Sequence, residues 1–228
     1  MKLLYFIVSE RNIYMGYLIG RLSSMISSFL IIAPTTLIAL IGHELAHGFV
    51  SIKLGDPTPK LQGRMTLNPL KHLDPVGTVL MLLTGFGWAR PVEVNPMYYK
   101  DRKKGMALVA LAGPIANFLM ALAGAVIGLL LLKLTGGSTL IATIVSIFVQ
   151  MNLNFMVFNL IPLPPLDGSK ILGMFLPNRT YYTMLQYERY SIILIMLLSL
   201  GGAFGRIIGT GTSLLWNVIW SFAERIVF

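Results

Sequence analysis

"LIALIGHELAHGFV", residues 37–50, sets two histidines and a glutamate inside a run that otherwise suits the interior of a lipid bilayer. On an α-helix, positions i and i+4 share a face, so His43 and His47 can offer imidazole nitrogens to one metal ion. Glu44 sits beside them, placed to work on a metal-bound water. Ionisable groups are expensive in hydrocarbon, and inside a span they mark function more often than packing. One stretch thus points both to a membrane fold and to metal chemistry.

The rest of the chain agrees with the membrane half of that reading. Of 228 residues, 55% are hydrophobic and 12% charged, against roughly 25% charged in soluble domains. Apolar runs near the ~20 residues that a spanning helix needs recur at about 22–50, 106–132, 139–161 and 190–227. The last is long enough for two short spans, with Gly201, Gly202, Gly205 and Arg206 as the expected interruption. The expected fold is an all-α polytopic membrane protein with a three-helix catalytic core and C-terminal helices. It is read as one domain over 1–228, with the core at about 22–175 and the C-terminal helices at about 190–227. The N-terminal apolar run is shorter than a signal peptide and lacks a small-residue cleavage site, so it is expected to be retained at the interface.

The chain has no cysteine, which excludes disulfides, thiolate zinc sites and thiol nucleophiles. Its net charge of +9 comes from lysines and arginines that flank apolar segments. That pattern fits membrane orientation and anionic headgroups rather than nucleic acid. Basic residues cluster between the first and second spans (Lys53, Lys60, Arg64, Lys71, Arg90, Lys100, Arg102, Lys103 and Lys104) and again at Lys170, Arg179 and Arg189, which predicts that both loops are cytoplasmic. The turn "KLTGGST", 133–139, then lies on the other side and makes 106–132 and 139–161 an antiparallel pair. Lys2, Arg11 and Arg21 run against the rule.

Within the first loop, "VGTVLMLLTGFGWA" at 76–89 is too short to cross as a helix. Its glycines, followed by "RPVEVNP" with alternating Val92 and Val94, predict a short re-entrant extended hairpin. Non-helical backbone at that depth must be buried in protein or line a wet cavity, so a polar cavity is expected beside it.

A catalytic zinc usually has three protein ligands and one open position. Beyond the two histidines, the candidates are His72, Asp56, Asp74, Asp101, Asp167 and the other glutamates. His43 lies about 15 Å along the helix from Lys53, just inside the cytoplasmic face. "NLIPLPPLDGSK", 159–170, ends the third span on that same face, and Pro162, Pro164 and Pro165 must unwind it there. This leaves Asp167 on irregular backbone near the right depth, although an Asp-Gly pair also suits a plain turn. His72, in "KHLDP", falls in the loop as a structural or interfacial residue.

"HELAH" on a first core helix with "NLIPLPPLDG" closing a third resembles the site-2 protease family of intramembrane zinc metalloproteases. "GRMTLNPLKHLDPVGT", "ARPVEVNP" and "LAGPIANF" are similar to its compact prokaryotic branch, and the resemblance covers about residues 35–175. It implies one zinc per chain held by His43, His47 and Asp167, with Glu44 as catalytic base. It also implies hydrolysis of peptide bonds within or near transmembrane segments of membrane proteins. Asn159 would contact substrate or help stabilise the oxyanion, its other reading being a cap on the broken helix. Asn117 would hydrogen-bond between helices. Val92 and Val94 would pair with an unwound substrate strand. The expected setting is a prokaryotic cell membrane crossed several times, with the site towards the cytoplasm. No PDZ-like insertion is expected between 132 and 139, and no regulatory domain after the last span. A metal-ion transporter or a catalytically silent binder are the rival classes. The concentration of ligands at one depth counts against the first, and an intact Glu44 against the second.

Overall fold

The computed structural model describes residues 29–78 and 89–228. In chain order it contains α1 (Phe29–Lys53), the single turn α2 (Thr58–Leu61), α3 (Arg102–Leu134), α4 (Thr139–Leu160), α5 (Asp167–Gly173), α6 (Asn178–Gln186), α7 (Glu188–Leu200) and α8 (Ala203–Val227). Among the described residues α1, α3 and α4 are long and apolar enough to cross a membrane, and α7 with α8 form a bent pair that could supply another crossing. The protein is an all-α polytopic membrane protein.

Each boundary has a local cause. α1 stops where Gly55, at φ 101°, turns the chain into a left-handed conformation that costs glycine little. Asp101 caps α3, its carboxylate accepting from the Lys104 N–H. The 33 residues of α3 would extend about 50 Å, well beyond a hydrocarbon core of ~30 Å. Its first turn, which carries Lys103 and Lys104, can therefore stand at the membrane surface. α4 ends because Ile161 precedes Pro162 and is held extended, at φ −64° and ψ 128°. Beyond the proline-rich stretch the chain re-enters a helix at Asp167.

The C-terminal run breaks at Gly201 and Gly202, the latter at φ 72°. Gly205 and Arg206, expected to share that interruption, lie inside α8 instead. The left-handed turn needs only one glycine, and the helix resumes at once.

α3, α4 and α8 pack around a shared core of Ala121, Ala125, Val149, Leu153, Ile219 and Ala223. Small residues let the backbones approach. A Cβ on Gly124 would lie 2.6 Å from Phe148 Cδ1, and one on Gly211 2.8 Å from Val157 Cγ1. Close packing of this kind is what holds helices together in lipid, where no hydrophobic drive separates protein from solvent.

Most of the expected hairpin, residues 79–88, lies outside the described residues. Its flanks are a helical turn over 75–78 and an extended run over 89–95, joined by an isolated antiparallel bridge between Leu73 and Ala89.

Candidate metal centre

His43 and His47 lie one turn apart on the inner face of α1, their rings perpendicular with centroids 4.5 Å apart. The break after α4 brings Asp167, the first residue of α5, against them. The three side chains converge on one point. His43 Nε2 is 3.2 Å and His47 Nε2 3.0 Å from Asp167 Oδ2, and the two Nε2 atoms are 2.9 Å apart. All three residues are at least nine-tenths buried, with exposures of 3%, 8% and 5%.

The outer atoms of each ring show why a cation belongs at that point. His43 Nδ1 faces Asn117 Oδ1 at 2.6 Å, and His47 Nδ1 faces the Val109 carbonyl at 2.7 Å. Both partners only accept, so each Nδ1 carries the hydrogen and each neutral ring turns a lone pair inward at Nε2. Two lone pairs and a carboxylate oxygen are then left facing one another in a site with little access to water. A divalent ion satisfies all three. Tetrahedral zinc with bonds of roughly 2.0–2.1 Å holds its ligand atoms roughly 3.3 Å apart, close to the observed triangle. The donor set of two imidazoles and one carboxylate is also a catalytic zinc set.

Two neighbours complete the cradle. Lys170 Nζ donates to Asp167 Oδ1 at 3.1 Å, which occupies that oxygen and leaves Oδ2 for the shared point. On α3, Gly113 faces the imidazoles with no side chain. A Cβ there would sit 2.5 Å from His43 Cε1 and 2.6 Å from His47 Cε1.

Glu44 points instead towards the extended run, where its Oε2 accepts the Val92 N–H at 2.8 Å. That run is held at both ends. The Arg90 N–H donates to the His72 carbonyl at 2.8 Å, and the Asn95 N–H donates to Asp56 Oδ2 at 2.7 Å. Asp56 is fully buried just past the end of α1, and also accepts from Ser51 Oγ and the Thr58 N–H. Burial pushes its pKa up, but these hydrogen bonds outweigh burial and hold the carboxyl below its ordinary value.

Between the run, α1 and α5 lies a cavity of about 420 Å³, lined by His43, Glu44, His47, Val92, Val94, Asn159 and Asp167 among others. All seven residues singled out from the sequence meet at this cavity. Asn159 also donates from Nδ2 to the Phe155 carbonyl one turn back, so it satisfies backbone near the helix break as well as facing the cavity. Of the other candidate ligands, Glu188 at the start of α7 also lines this cavity but stands outside the converging group, and three more lie elsewhere. His72 is buried in the loop, hydrogen-bonded through Nε2 to the Thr66 carbonyl, Asp74 caps the turn at Gly77, and Asp101 caps α3.

Sequence reasoning missed the reach of Asn117 to His43, and missed Asn152 and the Asp56 anchor altogether. An amide in an apolar span was a usable signal for both asparagines, because lipid leaves it no partner outside the protein. Asp56 had no such signal, since Gly-Asp-Pro reads as an ordinary turn.

Comparison with known proteins agrees with this chemistry. Residues 135–202 match peptidase family M50. The chain is 43% identical over 169 residues to the protein named "Putative zinc metalloprotease YwhC" of Bacillus subtilis, an alignment covering 72% of this chain and 77% of that protein. It is 26% identical over 194 residues to "Putative zinc metalloprotease Rip2" of Mycolicibacterium smegmatis, covering 80% and 71%. It is 25% identical over 178 residues to the protein of the same name from Mycobacterium tuberculosis, covering 75% and 67%. No solved structure matches the chain.

Proposed function

Because the chain belongs to peptidase family M50, the site-2 protease family of intramembrane zinc metalloproteases, we propose that His43, His47 and Asp167 are its zinc ligands and Glu44 its catalytic base. The observation that carries the assignment is the convergence of two imidazole nitrogens and one carboxylate oxygen, 2.9–3.2 Å apart, on a cavity that Glu44 also lines.

Zinc, when bound, supplies a Lewis acid that polarises a peptide carbonyl and makes water a competent nucleophile near neutral pH. Glu44 is the proton carrier. The Val92 N–H occupies its Oε2, and Oε1 is left to take the proton from the attacking water and deliver it to the departing amine nitrogen. Asp167 presents one oxygen because Lys170 engages the other. Burial of the cluster keeps water from competing with the ligands.

The substrate class we propose is a transmembrane segment of a membrane protein, unwound locally so that its carbonyls leave their intrahelical bonds. The run 89–95 offers it an edge. Val94 makes no backbone hydrogen bond among the described residues, and successive strand residues point their polar groups to alternate sides. Val94 and the Val92 carbonyl are therefore the groups available for edge addition. Asn159 faces the same cavity and is positioned to contact the bound strand.

The proposed setting is a prokaryotic cell membrane crossed several times, with the site towards the cytoplasm. Lys53 ends α1, Lys60, Lys71 and Lys100 follow in the loop after it, Lys103 and Lys104 stand in the first turn of α3, and Arg179 lies in α6, beyond the break after α4. The opposite turn between α3 and α4 carries only Lys133 near it, as the positive-inside rule requires.

The test is cleavage of a labelled transmembrane peptide by the purified protein in phosphatidylethanolamine–phosphatidylglycerol vesicles. Wild type is expected to cleave, to stop on chelation and to recover with zinc, whereas Glu44→Gln keeps its zinc and loses activity by about 10²–10⁴-fold. Undiminished cleavage by Glu44→Gln would remove it as the base.

A further inference from the structure

Two fully buried asparagines lie behind the metal centre, Asn117 on α3 and Asn152 on α4. Their hydrogen bonds run in one direction. Asn152 Nδ2 donates to the Phe148 carbonyl at 2.9 Å. A carbonyl only accepts, so this contact sets which end of the Asn152 amide points backwards and leaves its Oδ1 facing α3. Asn117 Nδ2 donates to that Oδ1 at 3.0 Å and to the Ala39 carbonyl of α1 at 3.0 Å. Both of its amide hydrogens are thereby used, and Asn117 Oδ1 can only accept from His43 Nδ1, 2.6 Å away.

We propose that Asn117 and Asn152 are positioning residues of the metal centre. Together they form a relay from the α4 backbone to His43 that fixes the imidazole tautomer and its angle. The inference rests on the reading of His43 as a zinc ligand and extends it to two residues that touch neither metal nor substrate. Reversing the tautomer would turn Nδ1 into a lone pair against Asn117 Oδ1. Relieving that clash requires flipping both amides, which sets Asn152 Oδ1 against the Phe148 carbonyl. In a dry bundle each such mismatch leaves polar groups with no water to turn to. The relay also joins two ligands through one helix, because α4 carries Asn152 and, past the break at its end, delivers Asp167.

The test is zinc affinity of the purified full chain, measured by competition with a chromophoric chelator, together with the absorption spectrum of the cobalt(II)-substituted protein. Asn117→Leu is expected to weaken zinc binding by about 10–100-fold, the usual cost of losing an outer partner of a metal-binding histidine, and to alter the cobalt bands. Asn152→Leu should weaken binding and alter the cobalt bands, and it carries the same test if Asn117→Leu does not fold. A merely structural role would lower thermal stability while leaving affinity and cobalt bands unchanged, and that result would overturn the proposal. Wild-type protein that takes up no zinc would be a different failure, that of the ligand set itself.

Discussion

The backbone N–H of Val92 donates to Glu44 Oε2 at 2.8 Å across 48 residues of sequence, so the extended run and the helix bearing the two histidines meet at the proposed base. Val92→Pro removes that donor. Cleavage should fall by about 10²-fold, the scale of a base displaced by an ångström or so, with zinc content unchanged. Val94→Pro removes an N–H that has no partner among the described residues, so it should leave Glu44 in place and act through weaker substrate pairing, as a raised KM. Equal kinetics in both variants and wild type, measured on a transmembrane peptide, would dismiss both roles.

Gly113 offers a second contrast. Alanine is favoured over glycine inside helices by about 1 kcal/mol, and Gly113 lies inside α3. A Cβ there would nevertheless meet His43 Nε2 and His47 Cε1, each at 2.6 Å. Gly113→Ala should therefore lose zinc despite its better helix propensity. Gly209→Ala, where nothing lies within 4 Å of the added carbon, should keep its zinc and unfold no more easily than wild type. Full zinc in Gly113→Ala would show that the imidazoles can move aside.

Much of this site was legible from spacing and breakers. His43, Glu44 and His47 needed only the helical period, and Asp167 was placed by Pro162, Pro164 and Pro165, which oblige a span to end at the depth of the histidines. What stayed hidden were contacts between distant segments. His43 with Asn117, Glu44 with Val92 and Asn95 with Asp56 are 74, 48 and 39 residues apart, and no local periodicity records such pairs. The break between α7 and α8 was half visible. Gly201 and Gly202 make the turn, but Gly205 looks the same in sequence and sits inside the following helix.

Asp56 gives a pH dependence with a definite sign. Its folded pKa lies below the ordinary 3.8, so its stabilising contribution is complete above that value and fades as the pH falls through the folded pKa. Asp56→Asn cannot titrate, and it sets an amide N–H against donors that need an acceptor. At neutral pH it should cost about 1–3 kcal/mol for each donor left dry, read as a lower unfolding midpoint in detergent. The gap between wild type and variant should narrow as the pH is taken from 7 towards 3. Zinc loss on acidification affects both proteins and cancels in the difference. A gap that does not change with pH would mean that the Asp56 charge contributes nothing.

The most direct test of the zinc site is the metal content of the purified protein, wild type against Asp167→Ala, by elemental mass spectrometry. About one zinc per chain is expected in wild type, as a single site with three protein ligands requires, with a clear loss in the variant. Equal zinc in both would place Asp167 outside the metal's coordination and contradict the site as drawn.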